Sequence, residues 1–400
     1  NGTTRLQDLQ LSLQGDENAH ELRLAFAGQP LASELLVRGL WRARQWQGEL
    51  SSGRIDTPIG PWVLDAPLNM VFSAASQRLS LGAQCWHLHE AALCLQPAEL
   101  SKARGDLRLS LSQFAAQALR PLFPERMDWR AMLTLNGQLG WQGGVPYADL
   151  QLESEPGSLI ADELVSDYDR LSVSTKLDRQ QGALVLHFAS KQLGRADINL
   201  LIGDPMGERT LGGELAIQDL RLYNLAPLLD ELKRTKGRVN ASGRMGGTLN
   251  KPLFYGKVTL DDGLIETSAE LAKITELHSE LLIDGAKARL SGHMKVGKGT
   301  MELGGRIDWS GELAEGIITL QADTLEVGLA GYGRARVSSN LQLIFGRELR
   351  LTGQVQIPWA RILVKSLPDS AVSVSEDVEI VTKRRKPEPQ PKLKVPVWLD

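Results

Sequence analysis

The chain has 400 residues, a formal net charge of −3, and 42% hydrophobic residues against only 5% aromatics. That balance excludes a general nucleic-acid binder, which carries a strong basic excess, and it points to an aliphatic interior. No uninterrupted apolar run of about 18 or more residues occurs, so no segment is long enough to span a membrane as a helix. With no initiator Met and no signal peptide at Asn1, the sequence reads as a piece of a longer protein.

Residues 1–110 read as strand throughout. Leu9, Leu11 and Leu13 alternate with Gln10, Ser12 and Gln14, and Leu22, Leu24 and Phe26 repeat the pattern. Such alternation marks a pleated strand with one apolar and one wetted face. Trp41–Gln47, with two Trp and two Arg, is expected as a mostly polar strand, and Gly48 as the start of a turn. The run from Thr57 to Trp62, with Pro58, Gly60 and Pro61, marks a further turn before Val63, Leu64, Leu68 and Met70. A hairpin turning near His89 and Glu90 would set Cys85 opposite Cys94, close enough for a cross-strand disulfide. That pairing implies an oxidising compartment; two free buried thiols are the alternative. His87, His89 and Glu90 have no further ligand nearby in sequence beyond the cysteines, so no metal is expected there. Leu107, Leu109 and Leu111 supply one more strand.

Two short helices are expected next. Ser112–Pro124 has an apolar face through Phe114, Leu119 and Leu122 and a proline stop, and Leu225–Lys233 is of the same kind. Each precedes a glycine-bearing strand, Leu133–Gly137 and Gly237–Gly243, which makes an internal repeat. The resulting sections are 1–110, 111–236, 237–382 and a closing 383–400. Lys383–Lys394, rich in Pro and basic residues, reads as an extended, poorly ordered surface loop, with a contact to acidic lipid or an acidic partner as the alternative.

The clearest strands lie late in the chain. Ala288, Leu290, Gly292, Met294 and Val296 alternate with Arg289, Ser291, His293 and Lys295, and Met301, Leu303, Gly305, Ile307 and Trp309 alternate with Glu302, Gly304, Arg306 and Asp308. Gly297, Lys298, Gly299 and Thr300 between them suit a hairpin turn. The same glycines mimic a phosphate-cradling loop, but no helix follows, so the turn is preferred. No nucleophile elbow or Ser/His pairing is present, and neither an enzyme nor a cofactor is expected.

The strands far outnumber the helical segments, so helices cannot cover their apolar faces. Large exposed apolar patches are rare on soluble monomers, which leaves a sandwich, a barrel, or a sheet curled around its own apolar face. The number of strands, the repetition and the in-strand glycines Gly256, Gly292, Gly305 and Gly353 favour an all-β fold. It is an elongated, repetitive, curled sheet with an apolar interior groove and a few short helices. The expected lining is Val258, Leu260, Leu290, Met294, Val296, Met301, Leu303, Ile307, Ile318, Leu320, Leu343, Leu351 and Val355. An open groove of this kind holds acyl chains, since each methylene removed from water contributes about 0.8 kcal/mol; a filled core of the same residues is the alternative.

Gly247–Ile265, Ala288–Gly292, Gly299 to Gly304, and Asp308 with Trp309 resemble the repeat of the TamB family, in the wider AsmA-like group. Val355–Ser375 looks like the signature entering that family's C-terminal conserved domain, and the Trp-rich early part with its two-cysteine hairpin looks like the middle of such proteins. The resemblance implies a Gram-negative envelope protein, anchored in the inner membrane by an N-terminal helix and crossing the periplasm. It implies a trough-like sheet that moves phospholipid between membranes. The implied partner is TamA, an outer-membrane barrel of the BamA kind, with a tie to outer-membrane protein assembly. No nucleic-acid partner is implied. A periplasmic scaffold offering sheet edges to unfolded outer-membrane strands and a filled spacer between membranes are the rival readings.

Overall fold

A computed structural model describes residues 5–161, 164–222, 232–267, 273–329 and 333–362. The fold is all-β. Twenty-five strands belong to one sheet and three to a second, small sheet, and every pairing among the described residues is antiparallel. The chain divides into two compact units, Asn1–Leu228 with Asn240–Tyr255, and Leu229–Val239 with Gly256–Asp400.

In the first unit, strands from Arg104–Ala115 to Thr210–Arg221 form an antiparallel ladder whose partners follow in chain order, interrupted twice. The chain leaves it through Met127–Arg130 before Met132–Gln142, and again through Gly157–Ala161 and Leu164–Tyr168 between Val145–Ser154 and its neighbour Arg170–Leu177, and these three strands build the small sheet. This sheet lies against the end of the ladder. Trp129 Nε1 donates to Tyr168 Oη at 2.8 Å, and the buried Tyr168 ring meets Phe188 at 5.7 Å. Leu88, Ala91, Phe114, Ala116 and Leu133 form the core there, with Trp129 and Leu119 packed on it.

Several expectations change at the turns. Trp41–Gln47 is not one strand: strands Ala32–Arg42 and Gln45–Thr57 meet through a two-residue turn at Ala43 and Arg44, both left-handed with φ 45 and 66. Paired positive φ values match the right-handed twist of the flanking strands, the geometry of a tight hairpin. Gly48 therefore lies within a strand, opposite Gly39. A Cβ at Gly39 would fall 2.5 Å from the Trp46 ring, so glycine there makes room for the indole.

The helix expected over Ser112–Pro124 is corrected. Strand Arg104–Ala115 runs on through a bulge, with Gln113 at φ 51, and Phe114 rejoins the ladder opposite Leu133 at 5% exposure. Burial of Phe114 outweighs the modest helix preference of its neighbours. Only Ala116–Leu122 winds, as a 3-10 helix containing Pro121, which has no amide to continue an α-helical ladder. It is the one helical element that the described residues assign to a span, fewer than the few helices expected. The second expected helix, Leu225–Lys233, lies mostly outside the described residues, with Leu232 and Lys233 beginning strand Leu232–Thr248. The Lys383–Lys394 loop lies wholly outside them.

Cys85 and Cys94 stand opposite each other in the hairpin Gln84–Leu88 and Ala91–Leu95 and are joined as a disulfide.

Candidate functional site

The second unit contains the ladder Lys273–Gly285, Lys287–Val296, Gly299–Asp308, Glu315–Leu329, Gly333–Phe345 and Arg350–Ile362. Its register converts separate alternating strands into cross-strand rows. Leu281, Leu290, Gly305, Ile318, Leu343 and Leu351 are successive partners in one row. Gly292, Leu303, Leu320, Leu341 and Gly353 form the next, and Met294, Met301, Ala322, Ser339 and Val355 the third. Directly opposed side chains on one face lie about 4.5–5.5 Å apart at Cβ, so each row is an uncharged, mainly aliphatic stripe running across the strands, interrupted by glycine or by Ser339. No ionisable side chain occupies these rows.

The expected lining residues of this ladder thus share one face, though they do not share one environment. Met294 and Val296 are buried, at 7% and 6% exposure, in a packed cluster with Leu277, Ala322 and Leu325. Leu260, Met301, Leu303 and Leu320 border that cluster. Leu290, Ile307, Ile318, Leu343 and Leu351 are half-buried, as is Val258 on strand Lys251–Thr267, while Val355 is 53% exposed. One end of the face is therefore a filled core, and the remainder leaves its aliphatic groups partly accessible. A bulge between Ala322 and Leu325 makes this division, because it re-aims the second half of its strand so that Leu325 turns onto Met294 and Val296.

The first unit has a matching face to which the sequence reading assigned no site residue. Leu93, Leu111, Leu135, Leu152, Val173, Leu186, Ile198 and Leu215 are partners in one uninterrupted row. All are half-buried. The alternation of each strand was visible, but nothing in a single strand says which of its neighbours it will face.

Charge is kept to the reverse side. In the second unit Lys295 pairs with Glu276 at 2.7 Å, Lys257 with Glu280 at 3.1 Å and Lys287 with Asp308 at 3.3 Å. The Asp308 carboxyl is held down to a pKa of about 2, chiefly by the Ser310 hydroxyl and amide that donate to it, with Lys287 adding to the effect. An uncharged aliphatic surface backed by a salt-bridged one can bury hydrocarbon and has no groups arranged for bond-making chemistry.

Residues 1–260 match the model of the TamB N-terminal domain, and residues 288–397 match that of the TamB C-terminal domain. The chain is similar to the translocation and assembly module subunit TamB of Haemophilus influenzae, with 26% identity over 391 residues. That alignment covers 95% of this chain and 30% of the relative, so the chain spans under a third of that protein's length. No solved structure matches it. With its N-terminal-domain match alone covering more than half of the sequence, the chain belongs to the TamB family.

Proposed function

We propose that the apolar face is a conduit for phospholipid acyl chains, and that the parent protein carries phospholipid between the inner and outer membranes of a Gram-negative envelope. The observation behind this reading is the set of uncharged, mainly aliphatic rows that run from strand to strand in each unit, with most of their side chains half-buried outside the packed cluster around Met294. A hydrocarbon chain lying along such a row gains about 0.8 kcal/mol per methylene removed from water. Leucine, isoleucine and valine offer it no fixed polar contact, so it is held without being locked to one position. Head groups then face water at the margin. The Cys85–Cys94 disulfide supports a periplasmic location, since structural disulfides persist in oxidising compartments. Attachment to the inner membrane through an N-terminal helix, and contact with the outer-membrane barrel TamA, belong to the same proposal.

The test is organic extraction of the purified chain followed by mass spectrometry. Phospholipid is expected from the wild type and is expected to be lost from a Leu303→Asp variant that keeps its β circular-dichroism spectrum. A wild type free of lipid would sink the conduit.

The similarity to a translocation and assembly module subunit favours a second reading: a scaffold for outer-membrane protein assembly that adds client strands to its sheet edge. A proline in an edge strand, placed where the amide points away from its partner strand, separates the two. The scaffold fails with this variant and the conduit survives.

A further inference from the structure

The reverse face of the second unit is not uniformly polar. Across the same ladder, Leu282, Arg289, Arg306, Ile317 and Ile344 are successive partners in one row. The row beside it, Glu280, Ser291, Gly304, Thr319 and Gln342, is polar or small throughout. Leu282 is 46% exposed and Ile317 and Ile344 are 37% exposed. These residues line a cavity of about 720 Å³, and Arg289, Arg306 and Ile317 also line an adjoining concavity of about 390 Å³.

Two features of this row point to a ligand. The register forces Arg289 and Arg306 into direct opposition, an arrangement that like charges disfavour. Neither guanidinium has an ion-pair partner among the described residues, although other reverse-face cations such as Lys257, Lys287 and Lys295 each hold a carboxylate. An anion between the two arginines relieves their repulsion and takes the multidentate hydrogen bonds that guanidinium groups favour. The apolar side chains also flank the pair on both sides. From Arg306, Ile317 and Ile344 extend over two strand spacings, about 10 Å in all, which is room for a short run of hydrocarbon. The cavity volume lies within the range of small-molecule sites, about 300–1,000 Å³.

We propose that this row is a binding site for a single-chain anionic amphiphile, with its phosphate or carboxylate between Arg289 and Arg306 and its chain across Ile317 and Ile344. The site is separate from the apolar face, because its side chains project from the other side of the sheet. Acids at the rim set the orientation: Asp308 and Glu315 oppose each other one row along, with Lys287 paired to Asp308, and they repel an anion toward the arginines.

Isothermal titration of the full chain with dodecyl phosphate, below its aggregation concentration, tests the proposal. The controls are dodecyl maltoside as a neutral amphiphile and inorganic phosphate as a chainless anion. Saturable binding of dodecyl phosphate is expected, at least tenfold tighter than either control and weakened by added salt. Arg289→Gln with Arg306→Gln is expected to weaken it at least tenfold, and Ile317→Ser severalfold. Both arginines are exposed, and an unchanged β spectrum confirms that the variant folds. Leu303→Asp, on the opposite face, is expected to leave this binding intact. Any of four results overturns the site: no binding by the wild type, equal binding of inorganic phosphate, undiminished binding by the double arginine variant, or loss confined to Leu303→Asp. The last result places the amphiphile on the apolar face.

Discussion

Leu303 stands directly opposite Leu320, while three residues further along the same strand Arg306 stands opposite Ile317 on the other side of the sheet. One hairpin register therefore builds both surfaces at once. The apolar side is uneven: Leu303 borders the packed cluster and is half-buried, whereas Leu325 lies inside it at 4% exposure. Leu325→Ala is expected to cost about 2–5 kcal/mol, the range for emptying a packed leucine site. Leu303→Ala is expected to cost clearly less, since fewer of its contacts are lost. Urea denaturation of both variants checks the ranking, and equal losses would mean that the whole face is a filled core.

The disulfide links residues nine apart in sequence. Chain-entropy arguments give a loop of this size about 2–3 kcal/mol of stabilisation. A Cys85→Ala, Cys94→Ala double variant is expected to lower the denaturation midpoint accordingly, without changing the lipid extracted. Reducing the wild type with dithiothreitol should reproduce the shift.

Asp308 supplies an acid-side dependence. Its native pKa is lowered from 3.8 to about 2 by the Ser310 hydroxyl and amide. A group whose pKa is lowered by folding adds stability that is fully present above its unfolded value and is lost as pH falls through the native one. The contribution of Asp308 is thus expected to disappear between about pH 4 and pH 2. Ser310→Ala is expected to raise the carboxyl pKa toward its ordinary value, which a carboxyl NMR titration would show directly. An unmoved titration would assign the lowering to Lys287 instead.

Tyr168, 2% exposed, ties the small sheet to the main ladder through Phe188 and the Ser154 hydroxyl, and accepts from Trp129 within its own sheet. Tyr168→Phe keeps the ring and leaves the Trp129 indole N–H without its acceptor. A loss of about 1–3 kcal/mol is expected, as for an unsatisfied buried polar group. A shift in tryptophan emission together with the denaturation midpoint reports it.

Strand type and facing were legible in the sequence because the pleat has a period of two. Ala288 to Val296 and Met301 to Trp309 declared their apolar sides residue by residue, and the Cys85–Cys94 pairing followed from the turn between them. Local pattern failed where local conformation depended on distant partners. Phe114 read as helix because its neighbours favour helix, yet Leu133, far along the chain, holds it in the ladder. Trp41 and Trp46 read as one strand because nothing nearby announced the tight turn at Ala43 and Arg44.

What the sequence by itself determined is that this chain is a long series of one-sided strands with too little helix to cover them. Tertiary structure alone decided which side chains meet. Register brought Leu290, Ile318 and Leu343 into one stripe and Arg289 and Arg306 face to face, and a bulge turned part of the apolar side into closed core around Leu325. The physical reason is that alternation fixes the direction of a side chain relative to its own strand, whereas its neighbours are fixed by hydrogen-bonded pairings between segments that carry no mark of one another.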